Sequence, residues 1–211
     1  MSTSLPEIHI DVVSDVSCPW CYVGRRRLIN AITQLSTTKK ITYTYHPFII
    51  DTGTQKDGEE YMAYNVRRWG GDGWVYSMKR DSLNDGCTFK AWKYWPYSLH
   101  CHRLMWYANT VGKGGELMGI FFEMNYEEGK NLSVKKGLME AAERCGLDLK
   151  EAENIIDDQS VNKREVLNEY HKWSEDGVGG VPFFIVHLPS GKEVQLEGAV
   201  STSKWLKVLG K

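Results

Sequence analysis

Two cysteines, Cys18 and Cys21, stand three positions apart with Pro19 and Trp20 between them. A CxxC pair can supply two of the four ligands of a zinc site, act as a redox dithiol, or form a purely structural disulfide at the surface. Each of these chemistries requires different features elsewhere in the chain. The rest of the sequence therefore decides between them.

The remaining sequence argues against a zinc site and against a purely structural disulfide. A structural zinc site needs four ligands, normally from a second CxxC or a suitably spaced histidine pair. The other cysteines are isolated, at Cys87, Cys101 and Cys145, and His100 and His102 are too close together for that spacing. A disulfide that closes so short a loop constrains the unfolded chain very little. We therefore expect no metal at the CPWC pair.

The position of the pair favours redox chemistry. Residues 8–15 are β-branched and apolar, which predicts a buried strand, and residues 18–35 have the apolar spacing of a helix. Free N–H groups and the helix dipole at a helix N-terminus stabilise a thiolate. We therefore expect Cys18 to be an exposed nucleophile and Cys21, one turn further in, to be a shielded resolving thiol.

The elements around the pair predict an α/β fold. A second strand is predicted at residues 40–50, which makes the N-terminal part a strand–helix–strand unit with a parallel pair. From residue 58 the pattern is helical for roughly 110 residues, without strand-like alternation. Residues 180–200 predict a β-hairpin and residues 201–211 a final helix. The order βαβ, helical block, ββα predicts that both chain ends share one sheet.

Composition and charge exclude several classes of function. The chain has 211 residues, 42% of them hydrophobic and 25% charged, as in a globular protein. A net charge of −1 gives no reason to expect nucleic acid or an anionic membrane as a partner. No apolar run reaches the roughly 20 residues of a membrane-spanning helix, and the N-terminus lacks a secretory pattern. The expected location is the cytoplasm.

Several motifs together resemble one known family. They are CPWC followed by YVGRRRL, then GVGGVPFFI and LEGAVSTSKWLKVL near the C-terminus. Nearly the whole chain is similar to the DsbA-like thioredoxin superfamily, in particular to FrnE-like proteins. Their relatives include 2-hydroxychromene-2-carboxylate isomerases and kappa-class glutathione transferases. The resemblance implies a thioredoxin fold, βαβ…ββα, with an inserted all-helical domain. The thioredoxin-like domain would span residues 1–55 and 176–211, and the helical domain residues 56–175.

The resemblance also implies roles for residues near the dithiol. Pro182 would be a cis-proline that faces CPWC, and Val181 would hold the backbone of the substrate. In glutathione-using relatives the start of the last helix binds the γ-glutamyl carboxylate, and the matching residues here are Ser201 and Thr202. An ordinary helix cap is the alternative for these two hydroxyls. Glutathione is thus a candidate co-substrate, and no tightly bound cofactor is expected.

These features lead to one predicted function and two alternatives. Isomerase and kappa-class relatives commonly carry serine where Cys18 stands, so the presence of two cysteines favours redox chemistry. We predict a thiol–disulfide oxidoreductase that acts on protein or glutathione substrates. The alternatives are a glutathione-dependent transferase or isomerase, and a non-catalytic redox-sensing or chaperone-like binding module. Homodimers occur among the relatives, but the sequence identifies no interface.

Other chemistry-bearing residues are expected to be structural. Seven aromatic residues lie within residues 89–107; most should fill the core, and a few could line a groove over the dithiol. We expect His102 to be a hydrogen-bonded packing residue rather than a proton carrier. Cys87 and Cys101 are predicted to be separate thiols, and Cys145 an inert packing thiol.

Overall fold

A four-stranded sheet built from both ends of the chain lies at the centre of the molecule. The computed structural model describes residues 5–210, so residues 1–4 and 211 of the predicted domain ranges lie outside the described residues. The strands are β1 (Glu7–Ser14), β2 (Lys40–Pro47), β3 (Glu59–Glu60), β4 (Tyr94–Trp95), β5 (Phe183–His187) and β6 (Glu193–Glu197). The main sheet has the order β2-β1-β5-β6, and β3 pairs with β4 separately.

Helices connect the strands and form the long segment between β2 and β5. They are α1 (Pro19–Leu35), α2 (Tyr61–Trp69), α3 (Val75–Ser82), α4 (Ser98–Thr110), α5 (Gly114–Tyr126), α6 (Lys135–Arg144), α7 (Leu149–Asp157), α8 (Lys163–Glu175) and α9 (Thr202–Leu209). α1 crosses from β1 to β2, and α9 follows the β5–β6 hairpin. No helix within residues 5–210 combines the length and apolar character needed to cross a membrane.

The central strand is β1, because it carries apolar side chains on both faces. Ile10 and Val12 are buried on one face, and Val13 on the other. β1 runs parallel to β2, with Val12 opposite Tyr45, and antiparallel to β5, with Val12 opposite Phe184. The predicted parallel pair and the predicted C-terminal hairpin are therefore both present.

The two faces of β5 contact different helices. Phe184 lies on the side of α1 and α9, where its ring makes an edge contact with Trp205 at 4.9 Å between centroids. Phe183 points the other way and packs near Val13 and Trp173 of α8. The sheet is thus covered on both faces, and the start of α1 lies at the edge where β1 ends.

The segment between the sheet halves differs from the prediction in two places. It is not all-helical, because Glu59 pairs with Trp95 in the short β3–β4 ladder. The predicted strand at residues 40–50 ends at Pro47. The helical pattern predicted from residue 58 begins with α2, which ends where Gly70 adopts a left-handed conformation, and resumes at α3. The domain boundaries after residue 55 and before residue 176 stay predictions.

Candidate active site at the CPWC helix

Cys18 is the cap residue of α1, as the CPWC pattern predicted. Its backbone is extended (φ −86°, ψ 111°), and its sulfur accepts a hydrogen bond from the Cys21 N–H at 3.3 Å. Pro19 occupies the first turn, where its missing N–H leaves no hydrogen bond unmade. Trp20 is exposed next to it. The geometry places the Cys18 sulfur where the free N–H groups and dipole of α1 favour a negative charge.

The predicted exposure of Cys18 is wrong in degree. Cys18 is only 4% exposed and Cys21 2% exposed, because aromatic side chains from distant elements surround the start of α1. The two sulfurs still differ in access. Cys18 lines a cavity that opens at the end of the sheet, whereas Cys21 does not line it.

The segment before β5 faces Cys18 across this cavity. The Cys18 Sγ lies 3.6 Å from the carbonyl oxygen of Val181 and can donate its S–H to it. The Val181–Pro182 peptide bond is cis. Within the described chain, the N–H groups of Gly180 and Val181 make no hydrogen bond. A substrate segment bound in the cavity beside Cys18 and Val181 would find these two N–H groups unpaired.

The thiols other than Cys18 are held in the protonated form. Burial raises the pKa of the Cys21 thiol well above its usual value, and the adjacent Cys18 sulfur raises it further. Burial likewise raises the pKa of Cys87 to about 12 and raises the pKa of Cys101 and Cys145. All five cysteines are free and unpaired. Cys87 and Cys101 are separate thiols, in agreement with the prediction.

A buried carboxylate beneath the motif was missed in the sequence. Asp15 is fully buried and accepts hydrogen bonds from the N–H groups of Ser17 (2.9 Å) and Ile50 (2.8 Å). Burial alone would raise the pKa of this carboxyl, but His102 and these N–H groups lower it below its usual value. The His102 ring lies 3.7 Å from Asp15 and hydrogen bonds the Phe48 carbonyl at 2.8 Å, which is the predicted packing role. Asp15 thereby joins the end of β1 to the segment after β2.

The cavity in front of Cys18 has a volume of about 740 Å³, which is the size of a small-molecule site. Its walls come from seven separate stretches of the chain, and six of the fourteen lining residues are aromatic. They consist of Cys18, Pro19, Trp20, Phe48, Ile49, Ile50, Arg68, Trp69, Trp74, Trp95, Tyr170, Gly179, Gly180 and Val181. Of the seven aromatic residues singled out within residues 89–107, only Trp95 lines it. No local sequence pattern indicated that Trp69, Trp74 and Tyr170 would line the cavity.

Ser201 and Thr202 do not line this cavity. The Ser201 hydroxyl accepts a hydrogen bond from the Lys204 N–H at 3.3 Å, so it caps α9. The Thr202 hydroxyl donates to the Arg27 carbonyl of α1 at 3.4 Å. Both hydroxyls thus have structural partners, and their assignment as carboxylate ligands stays a prediction. Within residues 5–210, no group of three or more His, Cys, Asp or Glu side chains is arranged to hold a metal ion.

Comparison with known proteins gives a family match over almost the whole chain. Residues 9–210 match the family model described as the DSBA-like thioredoxin domain. A Bacillus subtilis (strain 168) protein named "Uncharacterized protein YwbO" is 25% identical over 210 residues, which covers 92% of this chain and 96% of that protein.

Solved structures share the fold at low sequence identity. A probable DsbA oxidoreductase, SCO1869 of Streptomyces coelicolor, has a TM-score of 0.79 at 22% identity, covering 96% of this chain and 88% of that one. A 2-hydroxychromene-2-carboxylate isomerase has a TM-score of 0.65 at 15% identity, covering 96% and 94%. The cytosolic disulfide reductase DsbM of Pseudomonas aeruginosa, also solved with GSH, has a TM-score of 0.62 at 15% identity, covering 96% and 93%. These likenesses confirm the predicted fold class.

Proposed function

Because the chain belongs to the DSBA-like thioredoxin domain family, we propose that it is a thiol–disulfide oxidoreductase that uses Cys18 and Cys21. The observation that carries this proposal is the position of the Cys18 sulfur. It caps α1, accepts the Cys21 N–H, and lies between a cavity and the Val181 carbonyl. A cysteine in such surroundings is suited to attack as a thiolate.

The first step is attack of the Cys18 thiolate on one sulfur of a substrate disulfide. The substrate S–S bond breaks, a mixed disulfide forms on Cys18, and the second substrate sulfur leaves as a thiolate. The hydrogen bond from the Cys21 N–H and the dipole of α1 stabilise the attacking thiolate. The unpaired backbone groups at Val181 would hold the substrate next to the reacting sulfurs, with Pro182 fixing that turn.

The second step releases the substrate. Cys21 loses its proton and attacks the Cys18 sulfur, which displaces the first substrate sulfur and leaves a Cys18–Cys21 disulfide. The dithiol has then lost two electrons and the substrate has gained them. Burial, and then the adjacent Cys18 sulfur, raises the pKa of the Cys21 thiol; formation of the mixed disulfide removes only the contribution of the Cys18 charge. A dithiol reductant then reduces the Cys18–Cys21 disulfide by the same two exchanges, is itself oxidised to a disulfide, and restores the reduced protein.

Glutathione is a second candidate for the substrate side. DsbM of Pseudomonas aeruginosa has been solved with GSH, and an isomerase is among the structural neighbours. Under this alternative Cys18 would position glutathione near Val181, Ser201 and Thr202, and turnover would not require Cys21. DsbM is described as a cytosolic disulfide reductase, which supports a cytoplasmic location for this chain too. The redox potential of the cytoplasm favours reduction or isomerisation of disulfides over their net formation.

The test uses bis(2-hydroxyethyl) disulfide, a small substrate that any accessible thiolate attacks. Reduced wild type should lose two hydrogens by mass and form the Cys18–Cys21 disulfide. Cys21→Ser should stop at a stable adduct on Cys18, and Cys18→Ser should not react. Insulin disulfide reduction with dithiothreitol then tests a protein substrate with the same three proteins.

Two results would contradict the dithiol mechanism. One is a reaction of Cys18→Ser at the rate of wild type. The other is undiminished turnover by Cys21→Ser with glutathione, which would favour the transferase or isomerase alternative. Peptide binding that persists without either cysteine, in a protein with no thiol reactivity, would favour the binding module. Cys87→Ser is the matched control, because Cys87 is buried away from the cavity.

A further inference from the structure

We propose that the cavity in front of Cys18 selects small aromatic disulfides that carry an anionic group, in preference to disulfides of proteins. The proposal rests on the proposed function and adds a substrate class to it. Three features carry it: the restricted access to Cys18, the fixed aromatic walls, and the charge of Arg68.

Access to Cys18 favours a slim substrate. The attacking sulfur must approach the disulfide along the S–S axis. Cys18 is only 4% exposed, and the cavity of about 740 Å³ is its opening to the outside. A disulfide in a folded protein would have to bring two flanking chains into this space. A small disulfide meets no such obstacle.

The aromatic walls favour a flat ring next to the reacting sulfur. Trp95 stacks on Tyr64 at 3.8 Å between ring centroids, so its ring is fixed from behind. Trp74 is fixed by a hydrogen bond from its Nε1 to the Asn65 side chain at 3.0 Å. Trp69, half exposed, stands at the rim. Rigid indole rings offer stacking surface at low entropic cost.

Arg68 sets the charge preference. It carries the one formally charged side chain among the described residues that line the cavity, and 43% of that side chain is exposed. Its nearest carboxylate, Asp51, lies at 3.9 Å and is already engaged by Arg67 at 3.2 Å. The Arg68 guanidinium also lies 4.5 Å from the Trp69 ring centroid, which holds it at the rim. An anion on the substrate would therefore meet an incompletely neutralised cation, and none of the described residues that line the cavity is a carboxylate.

The reaction is the exchange described above with an aryl disulfide as the oxidant. Cys18 attacks, the aryl S–S bond breaks and one arylthiolate leaves; Cys21 then displaces the second and gives up its proton. The reduced CPWC pair supplies both electrons. An arylthiol has a low pKa, so it is a good leaving group in both steps.

The experiment compares three disulfides in single-turnover reactions with reduced protein. They are 5,5′-dithiobis(2-nitrobenzoate), which is aromatic and anionic; 4,4′-dithiodipyridine, which is aromatic and neutral; and bis(2-hydroxyethyl) disulfide, which is neither. Rates are compared between variant and wild type for each disulfide separately, so that differences in leaving-group reactivity cancel.

Arg68→Gln should slow the reaction with the anionic aryl disulfide about fivefold. It should change the rates with the two neutral disulfides less than about twofold. Added salt should reduce this difference, since it screens an exposed charge. Trp69→Leu should slow the reactions with both aryl disulfides and leave the rate with the aliphatic disulfide unchanged. Arg80→Gln and Tyr76→Ala are matched controls, because both side chains are exposed on α3 and do not line the cavity.

Two outcomes would overturn the proposal while leaving the proposed function intact. One is an equal effect of Arg68→Gln on all three disulfides. The other is a slowing of the insulin reaction by Trp69→Leu as large as its slowing of the aryl disulfide reactions, which would assign the cavity to polypeptides. Failure of the proposed function looks different: Cys18→Ser would then react with every disulfide as wild type does.

Discussion

A Cβ atom on Gly24 would lie 2.9 Å from the Cγ atom of Pro182. α1 can therefore approach the cis peptide only because position 24 has no side chain. Gly24→Ala should push α1 away and destabilise the protein by about 1–2 kcal/mol, since overpacking outweighs the gain in helix propensity. It should also slow attack by Cys18. Urea unfolding and the rate with bis(2-hydroxyethyl) disulfide check both effects.

The control for this change is Gly119→Ala in α5. Its added methyl group would meet only the far end of the flexible Arg25 side chain. We expect Gly119→Ala to be neutral or slightly stabilising. Equal destabilisation by both variants would mean that helix glycines in general, and not the contact with Pro182, set the effect.

The stability of the protein should fall at high pH through one histidine. His46 hydrogen bonds Asp11 on β1 at 2.8 Å and Glu169 on α8, and Asp11 is also bound by His187. Burial lowers the pKa of His46, but the two carboxylates outweigh it and raise the pKa to about 9. His187 also contacts Glu193, so this network joins β1, β2, β5, β6 and α8.

The direction of this pH dependence follows from the protonation of His46 in the folded and unfolded states. Between the unfolded pKa of 6.5 and the folded pKa of about 9, the folded state binds the extra proton. Stability from His46 is therefore complete below pH 6.5 and is lost as the pH rises through 9. The destabilisation caused by His46→Gln should shrink by about 3 kcal/mol between pH 6 and pH 10 in urea unfolding. His171→Gln, at an exposed position on α8, should show no such trend; a constant difference for His46→Gln would contradict the assignment.

Arg103 is a buried cation held by carbonyl groups. It is 1% exposed and donates to the Val161 carbonyl at 2.8 Å and to the carbonyls of Ile155 and Asp158. Arg103→Leu should cost about 3 kcal/mol or more, because these buried carbonyls lose their donor. The stability of Arg103→Lys should lie between that of wild type and that of Arg103→Leu, because an ammonium group cannot reproduce the planar set of donors of the guanidinium. Thermal unfolding checks this order, with Arg164→Leu, on the surface, expected to match wild type.

Alkylation should distinguish Cys18 from the other thiols. In native reduced protein at neutral pH, iodoacetamide should label Cys18, because the raised pKa of the other four thiols keeps them protonated and their burial excludes the reagent. In urea all five should be labelled. Peptide mapping by mass spectrometry gives the answer. Early labelling of Cys87 in the native protein would contradict the described burial.

The parts of the site that follow from local rules could be predicted. A CxxC at a helix start, with Pro19 in the first turn, specifies the cap that Cys18 makes. The hairpin at β5–β6 likewise follows from short-range pattern. The match of residues 9–210 confirms the predicted family as well. Asp15 was overlooked although it carries a signal, since it is an acid that directly follows a buried strand, three residues before Cys18.

The cavity walls could not be predicted, because they depend on packing. Phe48, Trp69, Trp74 and Tyr170 come from separate elements and meet only when α2 and α8 are in place. The aromatic run within residues 89–107 drew attention instead, but Trp92 packs in the core, in a tilted contact with Phe89 and an edge contact with Tyr126. Composition marks aromatic residues but does not say which side of a helix will face a cavity.

The pairing of β1 with β5 has a consequence for synthesis of the chain. Val12 lies opposite Phe184, so the central strand gains its second neighbour only near the end of translation. At ordinary elongation rates, roughly 10 to 35 seconds pass between the synthesis of Val12 and the synthesis of Phe184. Until the last strands are made, Cys18 lacks the Val181 segment that faces it in the folded protein. The surroundings of Cys18 are therefore completed only with the C-terminal part of the chain.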